Sequence, residues 1–135
     1  MKVRFGGGLA LVGLLWAAMP TLAHHAIQAQ FDYDRPITLT GQLRKLEWIN
    51  PHAYMHLDVK DGSGKVKTWA LEMVGPGGLR KAGLSREERG GLKVGETLTI
   101  NGFASKDGSD TAFVKEIKMP DGRLVSIWFG DPYDR

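Results

Sequence analysis

The chain has 135 residues, with 18 Lys+Arg against 15 Asp+Glu and no cysteine. The missing cysteines exclude disulfides and thiolate chemistry. So small a cationic excess, without any cationic run, argues against nucleic acid as a partner, because that requires a clustered positive surface.

Residues 1–23 read as a secretory leader: a basic start (Lys2, Arg4), an apolar stretch from Leu9 to Met19 and a small-residue exit at Thr21-Leu22-Ala23. The apolar stretch is about half of the roughly 20 residues that span a bilayer. Cleavage after Ala23 and a periplasmic address are therefore expected, with no membrane span afterwards. The leader takes two cations and no anion with it, so the 18 cations of the whole chain fall to 16 against 15 anions in the mature part.

A short arm is expected over residues 24–36, followed by one β domain over 37–128, where apolar residues alternate with period two between frequent turn residues. The first strand is expected from Ile37 to Trp48, with Ile37, Leu39 and Leu43 on one face and a bulge or bend at Gly41. Asn50-Pro51 turns into a second strand, His52 to Lys60. Its residues Ala53, Met55, Leu57 and Val59 face one way, and His52, Tyr54, His56 and Asp58 face the other. Asp61-Gly62-Ser63-Gly64 is a hairpin turn into a third strand, Lys65 to Met73, that buries Trp69, Leu71 and Met73.

The next segment breaks the alternation. Gly75-Pro76-Gly77-Gly78 leads into a short helical run, Leu79 to Ala82, and Ser85 and Glu88 have the spacing of a capping box. A fourth strand is expected over Val94 to Ala104, a fifth over Thr111 to Met119 after the Lys106-Asp107-Gly108-Ser109 turn, and a short sixth over Arg123 to Trp128. Residues 129–135 read as an irregular tail. The fold class is all-β with one short helix. Three strands, a helix and two more strands, with a bent first strand, is the order of a small OB-like Greek-key barrel of five to six strands.

The His24-His25 start, Phe31-Asp32, Leu39-Thr40-Gly41, Trp48-Ile49-Asn50-Pro51-His52-Ala53, Trp69-Ala70-Leu71-Glu72 and Lys106-Asp107-Gly108-Ser109 together resemble a family of small exported proteobacterial proteins catalogued as a domain of unknown function. The resemblance covers essentially the whole mature chain. It implies a periplasmic β-barrel and brings no established activity. Members typically read His-His-Ser-Phe after the leader, whereas this chain has His24-His25-Ala26-Ile27.

All four histidines fall in two places, His24 and His25 at the mature start and His52 and His56 on the second strand. Four residues along a strand span roughly 13 Å, so His52 and His56 cannot share one ion unaided. Cleavage after Ala23 would give His24 a free α-amine beside its imidazole, a ready chelate. A third nitrogen from His52, with His25 in reserve, approaches the tetragonal nitrogen set that copper(II) favours. The plainer reading is a mobile terminus and strand histidines that serve a turn.

A second candidate is a binding face formed by Trp48, Asn50, Tyr54 and His56, where OB barrels take ligands. A small ligand or a periplasmic protein suits it better than nucleic acid. Core packing is the commoner fate of such aromatics. Catalysis has no signature: Glu72 and Asp58 stand as isolated carboxylates, and no serine lies in a nucleophile elbow. The sequence thus points to a binding protein, by way of a metal at the mature terminus or a metal-free face of the first three strands.

Overall fold

The computed structural model describes residues 27–128. The expected leader, the histidine pair at 24–25 and the tail at 129–135 lie outside the described residues.

Six strands form one sheet: β1 (Phe31–Glu47), β2 (His52–Lys60), β3 (Val66–Val74), β4 (Thr97–Ser105), β5 (Thr111–Lys118) and β6 (Leu124–Ser126). Their order is β3-β2-β1-β4-β5-β6, and a further parallel pairing of β3 with β5 joins the two ends. That seam closes β1 to β5 into a barrel, and β6 adds a short antiparallel flap to β5. Closure removes the long open edges of a five-stranded sheet. Bent first strand, Greek-key order and a helix between the third and fourth strands make this an OB-like barrel.

β1 serves two neighbours. Its first half pairs with β4 and its second half with β2, and Gly41 belongs to both ladders, opposite Leu98 on one side and Val59 on the other. A Cβ at Gly41 would lie 2.4 Å from the Asp58 carbonyl oxygen. Glycine here lets one strand turn from one ladder to the next, as the bend expected at this residue requires. The register slip itself falls between Leu43 and Lys45.

Period-two alternation fills the barrel. Leu43, Ala53, Met55, Leu57, Leu71, Met73, Leu98, Ile100, Ala112, Val114 and Ile117 are all buried in it, while Trp69 packs half-buried against their cluster. Leu79, Leu84 and Leu92, from the segment between β3 and β4, plug one end.

A second cluster lies outside the barrel wall. Phe113 is fully buried although its neighbours Ala112 and Val114 point inward, and Ile27 and Phe31 cover it with Tyr33, Val74, Phe103 and Trp128 at the edges. Phe113 meets Phe31 at 5.7 Å and Trp128 at 5.1 Å between ring centroids, tilted and edge-on as aromatic pairs prefer. The described start of the chain is thus fastened down. Lys106 strengthens the attachment by donating from its backbone N–H to the Gln30 carbonyl and from Nζ to the Gln28 carbonyl.

Several boundaries differ from expectation. β1 begins at Phe31 rather than Ile37, because Phe31 opposite Ser105 and Tyr33 on Phe103 hold the charged stretch before Pro36 against β4. The expected arm is correspondingly shorter. The helix, α1, covers Pro76–Lys81, and a 3-10 turn follows at Glu87–Arg89. The capping box does not form: Arg86 is the cap residue with no side-chain bond, and Ser85 turns its hydroxyl to the Arg89 carbonyl.

Replacing Gly41 by Ala is expected to lower unfolding free energy by about 2 kcal/mol or more, since backbone on β2 must move. Gly77→Ala, in the open helix, should leave stability equal or slightly higher. Denaturant titrations of both variants give the comparison.

Candidate functional site

The outward face of β1, β2 and β3 carries a connected polar row. The Asp61 turn fixes the β2–β3 register, because one Asp61 carboxylate oxygen accepts from the Ser63 N–H, the Ser63 hydroxyl and the Lys65 N–H. Counting outward from it sets Asp58 opposite Thr68, Tyr54 opposite Glu72 and His52 opposite Val74. On the other side, Glu47 lies opposite Tyr54 and Lys45 opposite His56.

Two histidine–carboxylate pairs result. His52 Nδ1 lies 2.5 Å from Glu72 Oε1, and His56 Nε2 lies 3.0 Å from Glu47 Oε2. A carboxylate only accepts, so the proton sits on His52 Nδ1 and on His56 Nε2, leaving Nε2 of the first and Nδ1 of the second for another partner. Glu72 is the one buried carboxylate among the described residues, at 7 % exposure. Burying such a group is expensive unless a donor satisfies it, which His52 does. Glu47 also accepts from Lys45, and these two hydrogen bonds, Lys45 first, hold its carboxyl below the usual range.

Tyr54 stands between the two pairs. Burial first, and then the neighbouring negative charge of Glu72 and Glu47, push its phenol above the ordinary value of 10.0. Its proton stays in place through the physiological range, so the hydroxyl is a standing donor beside Glu72.

Among the expected site residues, His52, Tyr54 and His56 share this face. Trp48 does not join them. It packs half-buried against the core, under the Arg86 guanidinium at 5.8 Å from the ring centroid. Asn50 is in the β1–β2 connection, beside Gly75. His24 and His25 lie outside the described residues. Among the described residues no group of three or more His, Asp or Glu converges as a metal cage would need.

Glu72 and Asp58, expected to be isolated, both have partners. Glu72 holds His52, and Asp58 accepts from Thr68 and faces Arg44 at 3.6 Å. Glu47 is the other member of the face that sequence reasoning missed. Hairpin register, counted from Asp61, is the signal that locates Glu72 opposite Tyr54.

This chain belongs to a family of unknown function, DUF6152, whose model matches residues 12–114. No curated protein matches the sequence. Among solved structures the chain is similar to the mitochondrial single-stranded DNA binding protein Rim1 of S. cerevisiae, with a TM-score of 0.47 and 10 % identity over 67 % of this chain and 95 % of that one.

Glu72→Gln removes the negative charge beside Tyr54 and leaves its burial intact. The Tyr54 pKa should therefore fall yet stay above 10.0. Ultraviolet titration of the phenolate band, with Tyr54→Phe subtracted to isolate this tyrosine, reads the shift. An unchanged midpoint would mean that Glu72 does not act on Tyr54.

Proposed function

We propose that the protein is an exported binding barrel that takes a divalent metal, copper(II) foremost, at a site shared by its mature amino terminus and His52. His24 supplies α-amine and imidazole, His52 supplies Nε2, and His25 is the reserve ligand. Glu72 is not a ligand in this site. It orients His52 from behind, as the outer partner of a metal-bound imidazole commonly does.

The observation that carries this reading is the coincidence of two features at one rim. His52 is held by a buried carboxylate with its other nitrogen unused, and the chain's described start is fastened nearby. Ile27 belongs to the cluster that touches Val74, and Val74 is the cross-strand neighbour of His52. His24 is three peptide steps from Ile27, which limits their separation to roughly 10 Å. The reading requires export, because only cleavage after Ala23 would expose the α-amine. Among the described residues no further ligand groups with His52 and Glu72, and on this reading the remaining ligands come from the terminus.

A metal-free module is the second reading, favoured by the Lys45–Glu47–His56 row, which already satisfies itself beside Tyr54. Such a face suits a small polar ligand or a periplasmic protein.

The test begins with protein exported through its own leader and its first residue fixed by mass spectrometry. An extra alanine ahead of His24 should weaken copper(II) binding by at least about tenfold, the equivalent of about 1.4 kcal/mol. His52→Ala should do the same, and Glu72→Gln should cost roughly 10-fold through the lost orientation. Equal affinities in all four forms would remove the metal site and leave the metal-free reading.

A further inference from the structure

The segment between β3 and β4 builds a concavity that none of the histidines lines. Leu84 and Leu92, 2 % and 1 % exposed, are its anchors in the barrel end. Between them the backbone closes on itself: Leu92 N–H donates to the Ser85 carbonyl, and Gly91 and Arg89 N–H both donate to the Arg86 carbonyl. Gly91 permits the closure, since a Cβ there would lie 1.8 Å from the Ser85 carbonyl oxygen. The 3-10 turn in this ring buries none of its own residues, so its side chains stand outside the core that Leu84 and Leu92 enter.

What the ring presents is charge. A cleft of about 350 Å³ opens between it, α1 and Trp48, lined by Arg80, Ser85, Arg86, Glu88 and Arg89. Arg86 lies over the Trp48 ring, which fixes its guanidinium by a cation–π contact. Among the described residues none of these three arginines forms an ion pair, whereas Arg44 on β1 and Arg123 in the β5–β6 turn do. Three arginines against the single glutamate, Glu88, leave an excess of two positive charges among the residues that line one concavity. Guanidinium forks match the paired oxygens of a phosphate group, and a held fork loses little freedom on binding.

We propose that this cleft binds a phosphate-type oxyanion through Arg80, Arg86 and Arg89, with Trp48 as its floor. The excess positive charge of the lining suits a phosphate group, whether monoester, diester or pyrophosphate. Glu88 opposes the ligand and limits its affinity. The group reaches the cleft either on a free phosphorylated molecule or on the headgroup of an anionic lipid, and the chemistry of capture is the same for both.

Calorimetric titration of the purified exported chain with inorganic pyrophosphate at low salt tests the first source. Sedimentation with vesicles of phosphatidylglycerol in phosphatidylcholine tests the second, with pure phosphatidylcholine as reference. Saturable binding in either arm is expected. It should weaken by about tenfold or more in R86Q/R89Q and tighten severalfold in E88Q. All these side chains are exposed, so thermal melts should stay at the parent value and separate loss of the site from loss of the fold. Binding of pyrophosphate alone assigns a free ligand, and binding of the vesicles alone assigns a lipid headgroup. No saturable binding in either arm, or equal binding by R86Q/R89Q, would overturn the proposal.

Discussion

Phe113 is the pivot of the molecule. It lies on β5 at the parallel seam that closes the barrel, directly opposite Glu72 of β3, and it turns outward where its neighbours turn in. An aromatic ring on the outer wall of a barrel exposes a large apolar surface unless something covers it. Phe31 and Ile27 from one end of the described chain and Trp128 from the other do so. Burying Phe113 therefore does two things at once: it protects the seam and it decides where the chain enters the fold. Truncating such a ring typically costs about 3 to 5 kcal/mol, enough to matter to both.

The polar face follows from the same placement. Glu72 is buried because it borders the covered seam, and a buried carboxylate needs a donor close by. His52 fills that need across the hairpin, and in doing so has one ring nitrogen committed and the other presented. Further along β2 the second pair, His56 with Glu47, is more exposed and shared with Lys45. The two pairs are chemically alike but differ in setting. Only the first stands beside Val74, against which the described start of the chain packs, which is why His52 rather than His56 is the proposed metal ligand. The arginine cleft is lined by none of these histidines and depends on the locked ring between β3 and β4 instead.

Much of the barrel is legible in the sequence, and the reason is its alternation. β2 begins and ends at His52 and Lys60 as expected, and the two sides of that strand divide as the period of two requires. Gly41 marks the bend because a strand that pairs on both sides with no room for a Cβ needs glycine. The stretch from Phe31 to Pro36 is hidden, since Asp32, Asp34 and Arg35 look like a solvated arm, and only the aromatic cover over Phe113 makes it a strand. Phe113 itself sits in an apolar run in which nothing local shows which way it points. The capping box at Ser85 and Glu88 fails because the backbone closes the ring through Gly91 and recruits Ser85 for that closure. His52, Tyr54 and His56 are visible as one face, while their carboxylates are not: they come from other strands, and only register brings them together.

Paramagnetic broadening offers the most direct test of a metal held between the mature terminus and the seam. Copper(II) would be added in less than stoichiometric amount to isotope-labelled exported protein. Signals of Ile27, His52, Ala53 and Val74 should fade first while those of His56 and the β2–β3 turn at Asp61 persist. Loss centred on His56, or even loss over the whole surface, would contradict the placement of the site.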